Sequence, residues 1–150
     1  MVIAFHDASA LVKRYVPEDG ADLMPRDSTV LVAAMSEVEV TSAIWRRFRL
    51  GDVSNDDAET LHEAVRADFR GDPESSPYST IGLSTLVIDR ALKAVTQHDL
   101  RAGYAIQLAS ALVARDALPE CGAFAAFDVR LRNAARAEGF VLIPRQDQLS

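Results

Sequence analysis

An α/β fold with a parallel central sheet and helices on both faces is the fold class that this sequence predicts. Short apolar runs alternate along the chain with longer segments whose apolar residues recur at helical spacing. The runs are apolar throughout, which is typical of strands buried on both faces, and their alternation with helices favours a parallel sheet. A chain of 150 residues without an internal repeat is long enough for one such domain. We place this domain at 1–145 and a short polar tail at 146–150.

Local signals predict each element in turn. Apolar, β-branched or aromatic runs predict strands at 2–5, 29–33, 80–83, 123–127 and 140–143. Ser54 and Ser84 are good N-cap residues, and Gly51 and Gly139 are good residues for ending a helix. Helices are therefore expected directly after Asp7, from Ser36 to Gly51, from Ser54 to Gly71, and at 84–98, 102–117 and 129–138, with a helical turn at 21–24.

Composition excludes several classes of protein. The 16 basic and 22 acidic residues give a net charge of −6, the wrong sign for a protein that coats nucleic acid through its overall charge. A nucleic-acid contact would therefore need a local basic patch or a metal ion. The single Cys121 excludes an internal disulfide and a thiolate metal cluster. We expect a cytoplasmic protein without a membrane contact, because no signal peptide precedes the first strand and no apolar run approaches the ~20 residues of a membrane span.

Three carboxylates occupy similar places in the predicted fold. Asp7 and Asp128 each follow a strand and open a helix, and Glu39 lies in the first turn of the helix after the second strand. Each acid also has a structural explanation. Asp7 and Asp128 are suited to be N-caps, and Ser36 with Glu39 spells the S-x-x-E capping box. Because the carboxyl ends of parallel strands meet at one edge of a sheet, we nevertheless expect the three acids to lie close together.

Such a group of acids has a recognisable chemistry. Carboxylates that face one crevice repel each other unless a cation or protons neutralise them. Hard oxygen ligands favour Mg²⁺ or Mn²⁺, and these ions suit phosphodiester hydrolysis because they activate water and stabilise charge on the phosphate. The three acids therefore form a candidate metal site for cleaving nucleic acid.

Four stretches resemble, in order and spacing, the motifs of PIN-domain proteins, specifically the VapC-type toxin ribonucleases of bacterial toxin–antitoxin pairs. The first, HDASALVKRYVPE, resembles that family's D-x-S-A-L-V-K-x-Y-x-x-E start. SEVEVTSAIWRR resembles the second motif, an acid followed by a small-residue helix. LRAGYAIQLASAL resembles the third motif and FAAFDVRLRNAARAEGFVLI the last. The resemblance covers the chain from Ile3 to about Ile143.

The resemblance implies a PIN-like three-layer fold and a toxin that is a metal-dependent endoribonuclease. Matched position by position, Asp7, Glu39 and Asp128 correspond to active-site acids that hold Mg²⁺ or Mn²⁺, and Ser9 corresponds to a hydroxyl that supports Asp7. The resemblance also implies a homodimer and a cognate VapB-like antitoxin, whose tail lies across the acidic crevice.

One position departs from the family pattern, because Tyr104 stands where the third motif has an aspartate. A phenol with a reference pKa of about 10 is neutral at pH 7 and replaces a metal-binding anion poorly. Asp99 is five residues away and points in a different helical direction, so we do not expect it to substitute. Tyr104 marks either a natural variant with weakened or lost catalysis or an inactivating change introduced into the sequence. A catalytically inactive protein that sequesters antitoxin or RNA is therefore the alternative function.

Other residues have open roles. Four basic residues are candidate RNA contacts or members of a solvated rim: Lys13, Arg14, Arg46 and Arg101. His6 is either a general base or, as we expect, a hydrogen-bonded packing residue. A phosphatase that forms an acyl phosphate also uses an aspartate after its first strand, but such enzymes usually carry a second acid two residues later, where this chain has Ser9.

Overall fold

A computed structural model describes residues 2–26 and 28–149. Within these residues the strands form one five-stranded, entirely parallel sheet in the order β3-β2-β1-β4-β5. Strand β1 is central and is flanked by β2 and β4. The strands are β1 Ile3–His6, β2 Thr29–Ala33, β3 Tyr78–Ile81, β4 Ala123–Ala125 and β5 Val141–Ile143.

Helices cover both faces of this sheet. Along β2, Val30 and Val32 point to one face and Leu31 and Ala33 to the other, because successive side chains of a strand alternate. The first face packs against α1, α2 and α3, and the second face packs against α4, α5 and α6. The helices are α1 Ala8–Val12, α2 Ser36–Arg49, α3 Asn55–Arg70, α4 Thr85–His98, α5 Ala102–Ala117 and α6 Val129–Ala137, with 3₁₀ turns at Ala21–Leu23 and Gln146–Gln148.

This architecture confirms the predicted fold class. The layers of helix, parallel sheet and helix are consistent with a PIN-like three-layer fold. The part of the chain that the structure describes contains no helix that is long and apolar enough to cross a membrane.

Element boundaries differ from the predictions where tertiary contacts compete with local pattern. The first helix ends at Val12, and the backbone continues as a tighter turn in which the N–H of Tyr15 bonds to the Val12 carbonyl. Strand β4 ends at Ala125, two residues early, because the N–H of Phe127 turns to the hydroxyl of Ser9. Strand β3 begins at Tyr78, whose ring is buried in the core between the sheet and helices α1, α2 and α3. In the predicted tail, Gln146–Gln148 forms a 3₁₀ turn, and the final residue, Ser150, lies outside the described residues.

Candidate active site

The candidate site lies at the carboxyl edge of the central strands, where Asp7 follows β1 and Asp128 follows β4. The backbone N–H of Asp7 donates to the carbonyl of Ala125 at 3.0 Å, which extends the pairing of β1 with β4 by one residue. Ser9 links the same two segments, because its hydroxyl donates to Asp7 Oδ1 at 2.7 Å and accepts from the Phe127 N–H at 3.3 Å. The contact that the family resemblance implied for Ser9 is therefore present.

Asp7 and Asp128 are also the N-caps of the helices that follow them. Asp7 Oδ1 accepts from the N–H of Ala10 at 3.0 Å, and Asp128 Oδ1 accepts from the N–H of Leu131 at 3.0 Å. The capping explanation and the shared site are thus compatible. Each cap holds one carboxylate oxygen against its helix and so fixes the acid at the edge of the sheet.

Glu39 reaches the site in a different way, and the capping box that was its alternative explanation is not formed. Helix α2 has Met35 at its N-cap position with helical backbone angles, so Ser36 is already inside the helix and buried. Gln107 on α5 donates its side-chain amide to Ser36 Oγ at 2.8 Å and to Glu39 Oε1 at 2.7 Å. Gln107 was not predicted from the sequence. A glutamine among the small apolar residues of α5 was the available signal.

The charges of Glu39 and Asp128 act on the ionisation of Asp7. The pKa of Asp7 is raised from 3.8 to about 7, mainly by burial; the hydrogen bonds from Ser9 and Ala10 oppose the change, and the negative charges of Glu39 and Asp128 add to it. Burial also raises the pKa of Glu39, against the stabilising hydrogen bond from Gln107. At neutral pH Asp7 therefore exchanges between protonated and ionised forms, which relieves repulsion among the three carboxyl groups.

Tyr104 lies at the same edge, near Asp128. Its hydroxyl accepts from Arg101 Nη2 at 3.3 Å, the Arg101 guanidinium lies 5.0 Å from the ring centre, and the negative charge of Asp128 acts on the phenol. Burial and the charge of Asp128 raise the pKa of the Tyr104 phenol, so the group is neutral near pH 7. Asp99 ends α4 in a left-handed conformation with its side chain 97% exposed beside Arg130, and it does not replace the missing acid.

These residues do not form a ready three-acid metal site. Among residues 2–26 and 28–149, no group of three histidine, cysteine, aspartate or glutamate side chains is placed to hold an ion. One oxygen of each acid already accepts hydrogen bonds. The donors are Ser9 and Ala10 for Asp7, Gln107 for Glu39, and Leu131 for Asp128. The predicted ligand set of Asp7, Glu39 and Asp128 therefore needs rearrangement or a further anion before it fits Mg²⁺ or Mn²⁺.

The candidate RNA contacts have different environments. Lys13 pairs with Glu18 at 3.0 Å and lies 4.2 Å from the centre of the Phe127 ring, so its charge is used within the protein. Arg14 is exposed. Arg46 is also exposed and lines a groove along α2 that includes Glu39. Arg101 is exposed beside Tyr104.

His6 is completely buried at the end of β1. Neither of its ring nitrogens has a hydrogen-bond partner among the described residues, so the interpretation as a hydrogen-bonded packing residue is wrong. Burial lowers the pKa of His6 to about 4, and the positive charge of Arg14 adds to the effect. His6 is therefore a neutral packing residue at pH 7, and neither ring nitrogen is bonded to an acid of the site.

Comparison with known proteins gives a structural relative. No protein-family model matches the chain, and a search of curated proteins finds no match. A solved structure, a toxin–antitoxin complex from Klebsiella pneumoniae, is similar with a TM-score of 0.57 and 15% sequence identity. The similarity covers 83% of this chain and 86% of the other. At this identity the similarity establishes a shared fold.

Proposed function

We propose that this chain is the toxin component of a toxin–antitoxin pair and that its acid cluster belongs to an endoribonuclease site. The observation that carries the proposal is the convergence of Asp7, Glu39 and Asp128, from distant parts of the sequence, at one edge of a parallel sheet. The fold shared with a toxin–antitoxin complex supports the same assignment.

In this proposal Asp7 is the base for phosphodiester hydrolysis, and neighbouring side chains hold it and bind the substrate. Asp7, with a pKa near 7, accepts the proton of the attacking water, because a catalytic base is most effective when its pKa is near the working pH. Ser9 holds Asp7 in place through Oδ1. Arg46 and Arg101 lie where they can contact RNA phosphates beside the acids. We place the action in the cytoplasm.

Tyr104 weakens this site. It places a neutral phenol, on which the charge of Asp128 acts, at a position where the resembling family has a carboxylate. Because the three acids as placed do not fit a shared ion, we assign the Mg²⁺ or Mn²⁺ requirement to a site that includes a carboxylate at position 104. No step of the reaction of the unmodified chain is assigned to an ion.

The proposed partners follow from the same assignment. A VapB-like antitoxin would bind with its tail across the acidic edge and so compete with RNA. A homodimer is the proposed assembly of the toxin.

A catalytically inactive binding protein is the second candidate. The neutral Tyr104 phenol favours it, because its pKa is raised further by burial and by the charge of Asp128, so it cannot supply the anion that the resembling family has at this position. Such a protein would sequester antitoxin or RNA without cleaving it.

An RNA cleavage assay with Mg²⁺ or Mn²⁺ tests both candidates on the unmodified chain and the Tyr104→Asp variant. We expect the variant to be faster by about 10²- to 10⁴-fold, the usual effect of one essential catalytic group, and to be toxic when expressed without antitoxin. Tyr104→Phe is the matched control, because it removes the hydroxyl without adding an acid. The double variant Tyr104→Asp with Asp7→Asn should be inactive.

The outcomes separate the hypotheses. If the unmodified chain already cleaves RNA as fast as Tyr104→Asp, the proposed impairment is wrong and the site consists of Asp7, Glu39 and Asp128 alone. If neither protein cleaves RNA but both bind an antitoxin peptide or RNA, the binding function replaces the nuclease.

A further inference from the structure

Gln107 is a buried polar residue that packing alone does not explain. It lies on α5 and is 1% exposed, with Ala105, Leu108 and Ala111 as buried neighbours along the helix. Its amide nitrogen donates to both Ser36 Oγ and Glu39 Oε1. Its carbonyl oxygen is buried and has no hydrogen-bond partner within the described part of the chain. An unpaired buried carbonyl lowers stability, so an apolar residue would serve a merely structural role better.

The two bonds of Gln107 determine how Glu39 is oriented. Oε1 of Glu39 is held at 2.7 Å by the amide, which is itself fixed by its second bond to Ser36. The other oxygen, Oε2, is near Gly103, where a β-carbon would lie 4.0 Å from it. Gly103 and Gln107 are four residues apart on one helix and therefore lie on the same face. One oxygen of Glu39 is thus anchored, and the other has free space beside the residue that precedes Tyr104.

We infer that Gln107 is a positioning residue that, together with Ser36, anchors Glu39 through Oε1 and leaves Oε2 available to the acid cluster. The inference rests on the proposed function, because Glu39 acts in catalysis only under that proposal. Gln107 has no contact with substrate of its own and acts through Glu39.

The side-chain amide of Gln107 provides a readout that does not depend on nuclease activity. In the unmodified ¹⁵N-labelled protein, both amide protons should exchange with water slowly, whereas those of Gln97, which is exposed on α4, should exchange fast. Glu39→Gln should shift one proton resonance of Gln107, and Ser36→Ala should shift the other. Exchange as fast as that of Gln97, or resonances unmoved by Glu39→Gln, would overturn the inference.

Kinetics in the Tyr104→Asp background test the consequence for catalysis. Gln107→Met keeps the size of the side chain but removes the donor, and we expect kcat to fall by about 10²-fold with KM unchanged, as for a small misplacement of a catalytic group. Ser110→Ala is the matched control, because Ser110 is a buried polar residue of α5 that donates to the Ile106 carbonyl of its own helix. An unchanged kcat for Gln107→Met, or an equal fall for Ser110→Ala, contradicts a positioning role.

The experiments distinguish a failure of the proposed nuclease function from a failure of the positioning role of Gln107. If Tyr104→Asp does not cleave RNA, the proposed function fails, and the amide exchange and resonance shifts decide the anchoring of Glu39 by themselves. If Tyr104→Asp cleaves RNA and Gln107→Met does so equally well, the nuclease proposal stands and the positioning role is wrong.

Discussion

At the scale of single residues, the protonation of Asp7 makes the stability of the protein depend on pH. Its pKa is 3.8 in the unfolded reference and about 7 in the fold, so between these values the native state holds a proton that the unfolded chain releases. The contribution of this residue to stability therefore falls as pH rises from about 4 to about 7, and the full cost is present above pH 7. Because Asp7 is buried at the sheet edge, its ionised carboxylate lowers the free energy of unfolding at neutral pH.

Asp7→Asn should remove this pH dependence. The amide keeps an oxygen for the bonds from Ser9 and Ala10 but cannot ionise. Since one pKa unit corresponds to about 1.4 kcal/mol, we expect the free energy of unfolding at pH 8 to rise by a few kcal/mol, with little change at pH 4. Urea unfolding across this range measures it. Asp147→Asn, at a side chain that is 73% exposed, is the control, and equal pH profiles for the two variants would contradict the assignment.

Gly20 lies next to the candidate site, where its backbone angle and the nearby ring of Phe127 both favour glycine. It has a φ of +89°, and a β-carbon there would lie 2.6 Å from the ring of Phe127, the residue before Asp128. Gly20→Ala should lower the free energy of unfolding by about 1–2 kcal/mol for the backbone and by about 1–3 kcal/mol more for the overlap. Gly51→Ala isolates the first effect, because Gly51 has a φ of +83° and open space around it. Denaturation midpoints that fall equally for both variants would exclude the overlap.

At the scale of elements, α6 depends on a buried arginine for its position. Arg132 is 2% exposed and donates to the carbonyls of Ala126, after β4, and Pro144, after β5, at 2.9 and 2.8 Å. These bonds attach α6 to the ends of both strands that flank it. Since Asp128 is the N-cap of the same helix, Arg132 also holds one acid of the candidate site in place.

Arg132→Met should therefore destabilise the protein by about 2–4 kcal/mol, because two carbonyls lose their donor in a buried environment. Arg130→Met is the matched control on the same helix. Arg130 is 71% exposed and has a single long ion pair, so its replacement should change stability by less than about 0.5 kcal/mol. Thermal unfolding of both variants provides the comparison, and similar melting temperatures would show that the two carbonyl bonds are weak.

At the scale of the whole molecule, the largest set of exposed apolar side chains on one helix lies on α4. Leu86, Ile88, Leu92 and Val95 are 55%, 38%, 63% and 41% exposed. By helical spacing Ile88, Leu92 and Val95 fall on one side of α4 and Leu86 on the other, and an exposed apolar strip such as the first three form marks an interaction site. The homodimer expected from the family resemblance stays a prediction, and α4 is the surface on which we place it.

Light scattering at micromolar concentration should give the mass of a dimer for the unmodified chain and the 16.3 kDa mass of a monomer for Leu92→Glu. A charge at the centre of an apolar interface opposes association because it must be desolvated. Val38→Glu, at an exposed valine of α2, should leave the dimer intact. A monomer mass without any substitution contradicts the prediction.

Much of the fold follows from local sequence alone. Apolar runs and helical spacing are properties of neighbouring residues, so they predicted the order of the elements and, for β2 and α5, their bounds. The positions of Asp7 and Asp128 were predictable for the same reason. An acid that directly follows a parallel strand is at the sheet edge and at the start of a helix, whatever else surrounds it.

Only the tertiary structure determined which group holds Glu39. Ser36 and Glu39 have the spacing of a capping box, but Ser36 lies inside the helix with Met35 at the N-cap position. Their partner is Gln107, 71 and 68 residues away. The interaction between Tyr104 and Asp128 and the unpaired ring of His6 also depend on how helices pack across the sheet. Local sequence determined where the acids stand along the chain. The packing of α5 against that edge determined the partner of Glu39, and burial determined the protonation of Asp7, because burial and long-range hydrogen bonds arise only when distant segments meet.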